Sequence, residues 1–346
     1  MAVERLFITG ATGFIGGSVL NKIIATYPDL KITALLRTPT SVFTAKYPNV
    51  KVVKGSFDDF DTIEKAAQDA DITIRTYTAE KALNTGDIDH PGCAKAILSG
   101  LAKKTEMSLL IHLTGTGCIS DEREQTWEGK FNPHVWDDIN DIQEIYDLPD
   151  DAQHHVIDKW IQDANTGLVK TVTICPPDIY GQSSTIGDRA TFMVPDYVAA
   201  AKKYGECFYL GAGENMRAIT HIDDVVDLFL LILNKHLDGG QELQYGKEGF
   251  YFAVASEVAW KSAAEAINQL GLEQGWLSQG TKVASWNKEQ LSAILPEDPG
   301  RVLYLWGSNS RAESSRAKRL GWNPHAPSFW EALAEDCKVA ADKLAN

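Results

Sequence analysis

Paired cysteine is missing from this chain. Its five cysteines (Cys93, Cys118, Cys175, Cys207 and Cys337) are odd in number, scattered and nowhere spaced C-x-x-C. That excludes a disulfide framework and points to free thiols in a reducing compartment, the cytoplasm. No uninterrupted apolar run reaches the length that spans a bilayer. Excess positive charge is absent as well: 33 Lys and Arg stand against 47 Asp and Glu, a net charge of −14. A general nucleic-acid or anionic-membrane surface is therefore excluded, while local positive potential at a phosphate pocket is not. Glu4, Arg5 and the glycines that follow distinguish the N-terminal stretch from a signal peptide. No internal repeat or low-complexity segment occurs. The 346 residues, 44% hydrophobic and 23% charged, suit one large domain or two intimately associated ones.

The most informative stretch lies at the start. An apolar run, Leu6-Phe7-Ile8, reads as a buried strand, and Gly10, Gly13 and Gly16 follow at spacing G-x-x-G-x-x-G before a helical segment. Gly10 lets the chain turn out of the strand, Gly13 admits a pyrophosphate to the backbone, and Gly16 permits close helix–strand packing. The free N–H groups of the helix's first turn, around Thr12, Phe14 and Ile15, then face the phosphates. A first strand before the motif and a helix after it make this a dinucleotide site.

Apolar runs and helical segments then alternate, predicting strands at 31–37, 50–55, 71–77, 108–113, 169–175 and 250–255, with helices at 91–103, 153–161 and 225–233. This is the α/β pattern of a doubly wound parallel sheet. The second strand ends in Arg37, followed by Thr38 and later Lys46, where a carboxylate would have selected the free ribose hydroxyls. A cation there favours NADP(H) over NAD(H). Asp58, just past the third strand, is placed either to accept from an adenine amino group or to cap the following helix. The acids Asp137, Asp138, Asp141 and Glu144 lack the glycine and terminal glutamate of a calcium loop and read as a solvated face. No metal is expected.

Several motifs between Thr9 and Val225 fall in the order of one family. Thr9 to Gly16, Asp58, Cys175-Pro176-Pro177-Asp178-Ile179-Tyr180-Gly181 and Ile219-Thr220-His221-Ile222-Asp223-Asp224-Val225 together resemble the extended or atypical short-chain dehydrogenase/reductases. That group includes NAD-dependent epimerase/dehydratases and dihydroflavonol-reductase-like enzymes; more narrowly, the chain resembles a fungal-type, epimerase-like branch. The resemblance implies a tyrosine four residues before a lysine as proton donor, a ribose-binding lysine, and a Ser or Thr hydroxyl after strand five. Lys159 fits the lysine position, but His155 stands where the tyrosine belongs. Three explanations follow: His155 is the donor, another group such as Tyr180, Tyr251 or a water reaches the substrate, or turnover of this type is lost. Adjacent His154 and His155 point in different directions, which suits a metal poorly. Thr116 is assigned to the substrate oxygen and Thr114 to the backbone turn; Pro176 is assigned to the nicotinamide face. Arg217 and Arg301 stand where relatives meet a diphosphate. Tryptophans concentrated toward the C-terminus (Trp260, Trp276, Trp286, Trp306, Trp322 and Trp330) suit either a lid or ordinary packing.

The expected architecture is a Rossmann-type domain from residues 1–177 and 219–256, with a smaller, mainly helical substrate-binding lobe from 178–218 and 257–346. The expected function is NADPH-dependent reduction of a small carbonyl or related unsaturated compound. Competing readings are a nucleotide-sugar epimerase with retained NAD and a non-catalytic NADP(H)-binding redox sensor. The resemblance also implies a homodimer; neither nucleic acid nor membrane is expected as a partner.

Overall fold

In the computed structural model, residues 4–77, 89–186 and 193–345 are described. Seven strands among them form one parallel sheet. In chain order they are β1 (Arg5–Ile8), β2 (Lys31–Leu36), β3 (Lys51–Lys54), β4 (Ile72–Arg75), β5 (Ser108–Leu113), β6 (Val169–Cys175) and β7 (Phe250–Phe252). Their spatial order is β7-β6-β5-β4-β1-β2-β3, so the chain reverses direction between β1 and β4, where such sheets open a ligand crevice at the strands' carboxyl ends. β4 and β5 are buried along their whole length, as expected for parallel strands covered on both faces.

The period of two divides the strand residues between two apolar layers. Leu6, Ile8, Leu109, Ile111 and Leu113 pack on the side that carries helices Phe14–Thr26 and Ile222–Leu237. Phe7 and Leu110 pack on the other side, with Ile63, Ile97, Ile157 and Ile161 from helices Phe60–Asp69, Pro91–Ala102 and His155–Asp163. His112 shares the parity of Leu110, so it points toward the last of these helices.

A separate apolar cluster joins Tyr197, Phe208, Trp260, Trp306 and Phe329. It is framed by a three-stranded sheet of Asp178–Tyr180, Met216–His221 and Ser256–Ala259, and by a parallel pair, Cys207–Leu210 with Val283–Trp286. Two details depart from the sequence-based division. Strand Met216–His221 belongs to the small sheet, not the large one. Ala317, Leu320 and Trp322, assigned to the lobe, pack into the layer under helix Phe14–Thr26. The acids at 137–138 are not a solvated face either. Asp138 is fully buried; its carboxylate accepts from the N–H groups of Phe252 (2.9 Å) and Arg316 (2.8 Å). Asp137 accepts from Ile139 and Asn140 N–H and from the Ser315 hydroxyl. These carboxylates tie the 121–151 insertion to β7 and the C-terminal segment by satisfying buried backbone donors.

Candidate active site

The glycine loop leaves β1 as its spacing requires. Gly10 has φ +68°, and a Cβ there would stand 2.5 Å from Thr76 Oγ1 and 2.8 Å from Tyr77 N. A Cβ on Gly16 would overlap Thr76 Oγ1 and the Gly10 carbonyl. The loop and the end of β4 are locked together: Thr9 Oγ1 donates to the Thr76 carbonyl (2.8 Å), and Thr76 Oγ1 donates to the Thr9 carbonyl (2.6 Å). Gly13 N–H donates to Gly10 O at 2.8 Å, and Gly13 is the N-cap of the next helix. Its first turn carries no side-chain cap and no acidic residue, which leaves the dipole end and its amides to an anion. Phe14 and Ile15 begin that helix, and Thr12 is half-buried in the loop. These residues fit a dinucleotide pyrophosphate.

Arg37 is exposed at the end of β2. Lys46 donates to the Ser184 carbonyl at 3.2 Å, holding segment 183–186 beside the first helix. Asp58 is exposed and caps nothing. His90 Nδ1 accepts from Cys93 N–H (3.1 Å) at the N-terminus of helix Pro91–Ala102, so the ring proton lies on Nε2 and donates to Asp58 Oδ1 (3.1 Å). The N-cap of helix Phe60–Asp69 is Asp59, whose carboxylate folds back onto Ser56.

At the end of β5 the two threonines separate. Thr114 Oγ1 donates to Asp158 Oδ2 at 2.7 Å, and Asp158 Oδ1 lies 2.9 Å from His112 Nε2. Across that ring, His112 Nδ1 is 3.1 Å from Arg75 Nη1. Burial holds the His112 imidazole below its usual range against the pull of Asp158. Thr116 is equally buried, but its hydroxyl has no hydrogen-bond partner among the described residues. Its N–H donates to the Pro176 carbonyl at 3.1 Å, joining the β5 and β6 turns.

The pairing of His155 with Lys159 does not reach this turn. The Lys159 ammonium lies over the Tyr146 ring, 4.5 Å from its centroid. His155 is buried with Nε2 unpartnered, and its charged neighbours are Asp158, Lys159, Asp150 and Asp147. Burial, followed by Lys159, lowers its pKa. The residues brought to the β5 turn are instead one position earlier, His154 and Asp158. His154 has φ 66°, the only positive value at a non-glycine position among the described residues. That turn starts the helix at His155 and directs the preceding ring toward the strand end. A Cβ on Gly115 would lie 3.6 Å from His154 Nε2, and one on Gly117 would stand 3.1 Å from Gln153 Cδ. Gly117 thus makes room for Gln153, while His154 lies at ordinary contact distance from the Gly115 position. The other His154 nitrogen, Nδ1, is 2.8 Å from Asp89 Oδ1. Burial disfavours its charge, but the bond to Asp89 and the charges of Asp89 and Asp158 prevail and raise its pKa.

Tyr180, Tyr251 and Arg217 each have hydrogen-bond partners within the protein. Tyr180 is buried, its hydroxyl donates to the Pro327 carbonyl at 2.9 Å, and burial moves it well above its usual range, so it is not presented as a donor. Tyr251 OH accepts from Gln244 N–H at 3.0 Å. Arg217 Nε donates to Asp178 Oδ2 at 2.7 Å, both residues fully buried, and Nη1 donates to Tyr304 O at 2.7 Å. Arg301 is buried beside Asp196, which burial pushes up to about 7. Of the six C-terminal tryptophans only Trp330 is exposed, so the group is packing rather than a lid.

Comparison with known proteins bears on the family and the fold. The NAD(P)H-binding family matches residues 10–169, and the NAD dependent epimerase/dehydratase family matches residues 143–246. The protein named Oxidase ucsJ, from Acremonium sp, is 27% identical over 99% of this chain and 99% of its own. An uncharacterised protein of Schizosaccharomyces pombe is 25% identical over 96% of this chain and 99% of its own. Among solved structures, UDP-glucose 4-epimerase of Thermotoga maritima with UDP-glucose superposes with a TM-score of 0.63 at 15% identity, covering 98% of this chain and 99% of the other. The dTDP-glucose 4,6-dehydratase DesIV of Streptomyces venezuelae, with NAD bound, gives 0.64 at 15% identity, covering 99% and 98%. No described helix is long and apolar enough to cross a membrane. The two family models together match residues 10–246, as NAD(P)H-binding and NAD dependent epimerase/dehydratase sequence, and the chain shares its fold with these two solved structures.

Proposed function

We propose that the chain is an NADP(H)-dependent oxidoreductase that reduces a small carbonyl or related unsaturated compound. The observation that carries this reading is that an uncapped helix N-terminus after β1 and the hydroxyl of Thr116 after β5, unpartnered among the described residues, both lie at the carboxyl end of the parallel sheet. The nicotinamide, when bound, supplies the hydride. The chain's contribution is to anchor the pyrophosphate on the Gly10–Gly16 loop and to hydrogen-bond the substrate oxygen through Thr116. Arg37 stands just past β2, where a carboxylate would select the free ribose hydroxyls, and so supports the 2′-phosphorylated cofactor. The name of the full-length Acremonium relative, an oxidase, favours redox turnover. Arg217 counts against a nucleotide-sugar substrate, because Asp178 and Tyr304 hold it inside the protein. The five buried free thiols suit a reducing, cytoplasmic setting.

The test is calorimetric titration of the purified chain with NADPH and NADH. NADPH should bind more tightly, and Arg37→Ala should remove most of that difference. Equal affinities, or a preference for NADH that Arg37→Ala leaves alone, would refute the cofactor assignment.

A further inference from the structure

We propose that His154, held by Asp89, is the proton donor to the substrate oxygen, in the place that the family gives to tyrosine. The inference rests on the reading of the chain as a carbonyl reductase. Three independent observations lead to it.

The first is the backbone. A left-handed conformation is rare for a residue with a Cβ, and His154 alone among the described non-glycine residues adopts it. Such outliers concentrate where a side chain must be aimed against local preference. Here the His154 carbonyl accepts from both Ile157 and Asp158 N–H at 3.1 Å, so the turn starts the helix and aims the ring away from the helix face.

The second is the orientation of the ring. Nδ1 faces the Asp89 carboxylate at 2.8 Å and so carries a proton in either charge state. Nε2 is left as the nitrogen that gains and loses the second proton. It lies against Gly115, where the Pro176 carbonyl comes within 3.9 Å of the same Cβ position. Thr116, one residue on, offers the hydroxyl with no partner. Two polar groups whose reactive atoms have no hydrogen-bond partner among the described residues therefore border one turn at the crevice.

The third is the surrounding charge. Asp89 on the segment before helix Pro91–Ala102 and Asp158 on the helix after His154 favour the imidazolium; Arg75 on β4 opposes it, and His112 on β5 is coupled to it. Tyr77, beyond β4, is coupled to Asp89 and is pushed up to about 12 by burial, which makes it a poorer donor than a free phenol. Asp158 is fixed by Thr114 and His112, so the field at His154 comes from anchored groups.

The step balances. The carbonyl carbon accepts a hydride from C4 of the reduced nicotinamide, and the π pair moves onto oxygen. Oxygen takes the proton from Nε2, leaving a neutral imidazole that still donates through Nδ1 to Asp89. The carbonyl is reduced to an alcohol and the dinucleotide is oxidised. Solvent returns the proton to Nε2.

The test uses the full chain with NADPH and a panel of aldehydes and ketones, comparing wild type with His154→Gln, Asp89→Asn and His155→Gln. His154→Gln should lower kcat by roughly 10²–10⁴-fold while NADP+ affinity measured by calorimetry stays within about threefold. The wild-type kcat should fall as pH rises through the His154 pKa. That break should move to lower pH in Asp89→Asn and vanish in His154→Gln. In NMR titrations without cofactor, the His154 Cε1–H resonance should titrate above the ordinary value of 6.5, and lower in Asp89→Asn. Turnover in His154→Gln with the pH break intact would overturn the donor assignment alone, as would a steep loss confined to His155→Gln. Absence of wild-type turnover across the panel would overturn the reduction reading and the donor with it.

Discussion

Replacing Gly10 by alanine should weaken folding and dinucleotide binding together, and the structure sets the size of the effect. At φ +68° an L-residue costs about 1–2 kcal/mol relative to a relaxed backbone. The new methyl would stand 2.5 Å from Thr76 Oγ1 and 2.8 Å from both the Thr76 carbonyl carbon and Tyr77 N. Ordinary contact needs roughly 3.5–4 Å, so the loop and the end of β4 must part by about 1 Å. Two of those three atoms are backbone, and Thr76 is bonded to Thr9 in both directions, so no flexible side-chain end can yield. Overpacking of this kind costs about 1–3 kcal/mol. The sum is about 2–5 kcal/mol, or a Tm lower by roughly 3–7 °C for a chain of this size. Because Gly10 O also receives Gly13 N–H, the helix N-terminus moves with it, and NADPH affinity should fall by at least about tenfold. Differential scanning calorimetry and isothermal titration read the two effects. Unchanged Tm and unchanged affinity would refute the packing described for this loop.

The two threonines after β5 should separate under the same isosteric change. Thr114→Val removes a buried hydroxyl bonded to the Asp158 carboxylate and should cost about 1.5–3 kcal/mol in denaturant unfolding. Thr116→Val removes a hydroxyl without a partner; stability should stay within about 0.5 kcal/mol, while kcat/KM falls by roughly tenfold to a hundredfold. Arg217→Met leaves the Asp178 carboxylate buried and uncompensated and should cost about 3–5 kcal/mol, most of it recovered in Arg217→Met/Asp178→Leu. For His154 the pKa is raised on folding despite burial, through Asp89, so its charged pair contributes fully below the ordinary value of 6.5 and less as pH rises through the raised value. The stability gap between wild type and His154→Gln should shrink over that interval in urea titrations.

Much of the large sheet was legible because its signals are local. Apolar runs marked β1 to β6 within a residue or two, and Gly10, Gly13 and Gly16 marked the turn and helix that follow β1. The two short strands that build the lobe, Cys207–Leu210 and Val283–Trp286, pair across a long separation and carry no such periodicity. Asp137 and Asp138 look solvated in sequence because their partners, Phe252, Ser315 and Arg316, lie more than a hundred residues away. The proposed donor lies one residue before the position that spacing selects, for a physical reason. Counting back four from Lys159 reaches His155, the first helical residue, but the left-handed turn just before it brings His154 against the β5 turn, which a spacing count does not register. The face toward β5 is therefore set by His154 and Asp158, and Lys159 turns to Tyr146. Gly117 was the available hint, since a glycine just past a strand end signals a close approach, here of Gln153, whose identity only the fold supplies.

The central claim is that a substrate carbonyl receives a hydride at the edge formed by Gly10, Thr116 and His154. Its most direct test is turnover with NADPH deuterated at C4 against aldehydes and ketones, with the product read by mass spectrometry. Reduction at this site predicts one deuterium on the former carbonyl carbon, formed in stoichiometric yield with NADP+. Product that carries no cofactor deuterium, or tight cofactor binding with no product from any substrate offered, would contradict it.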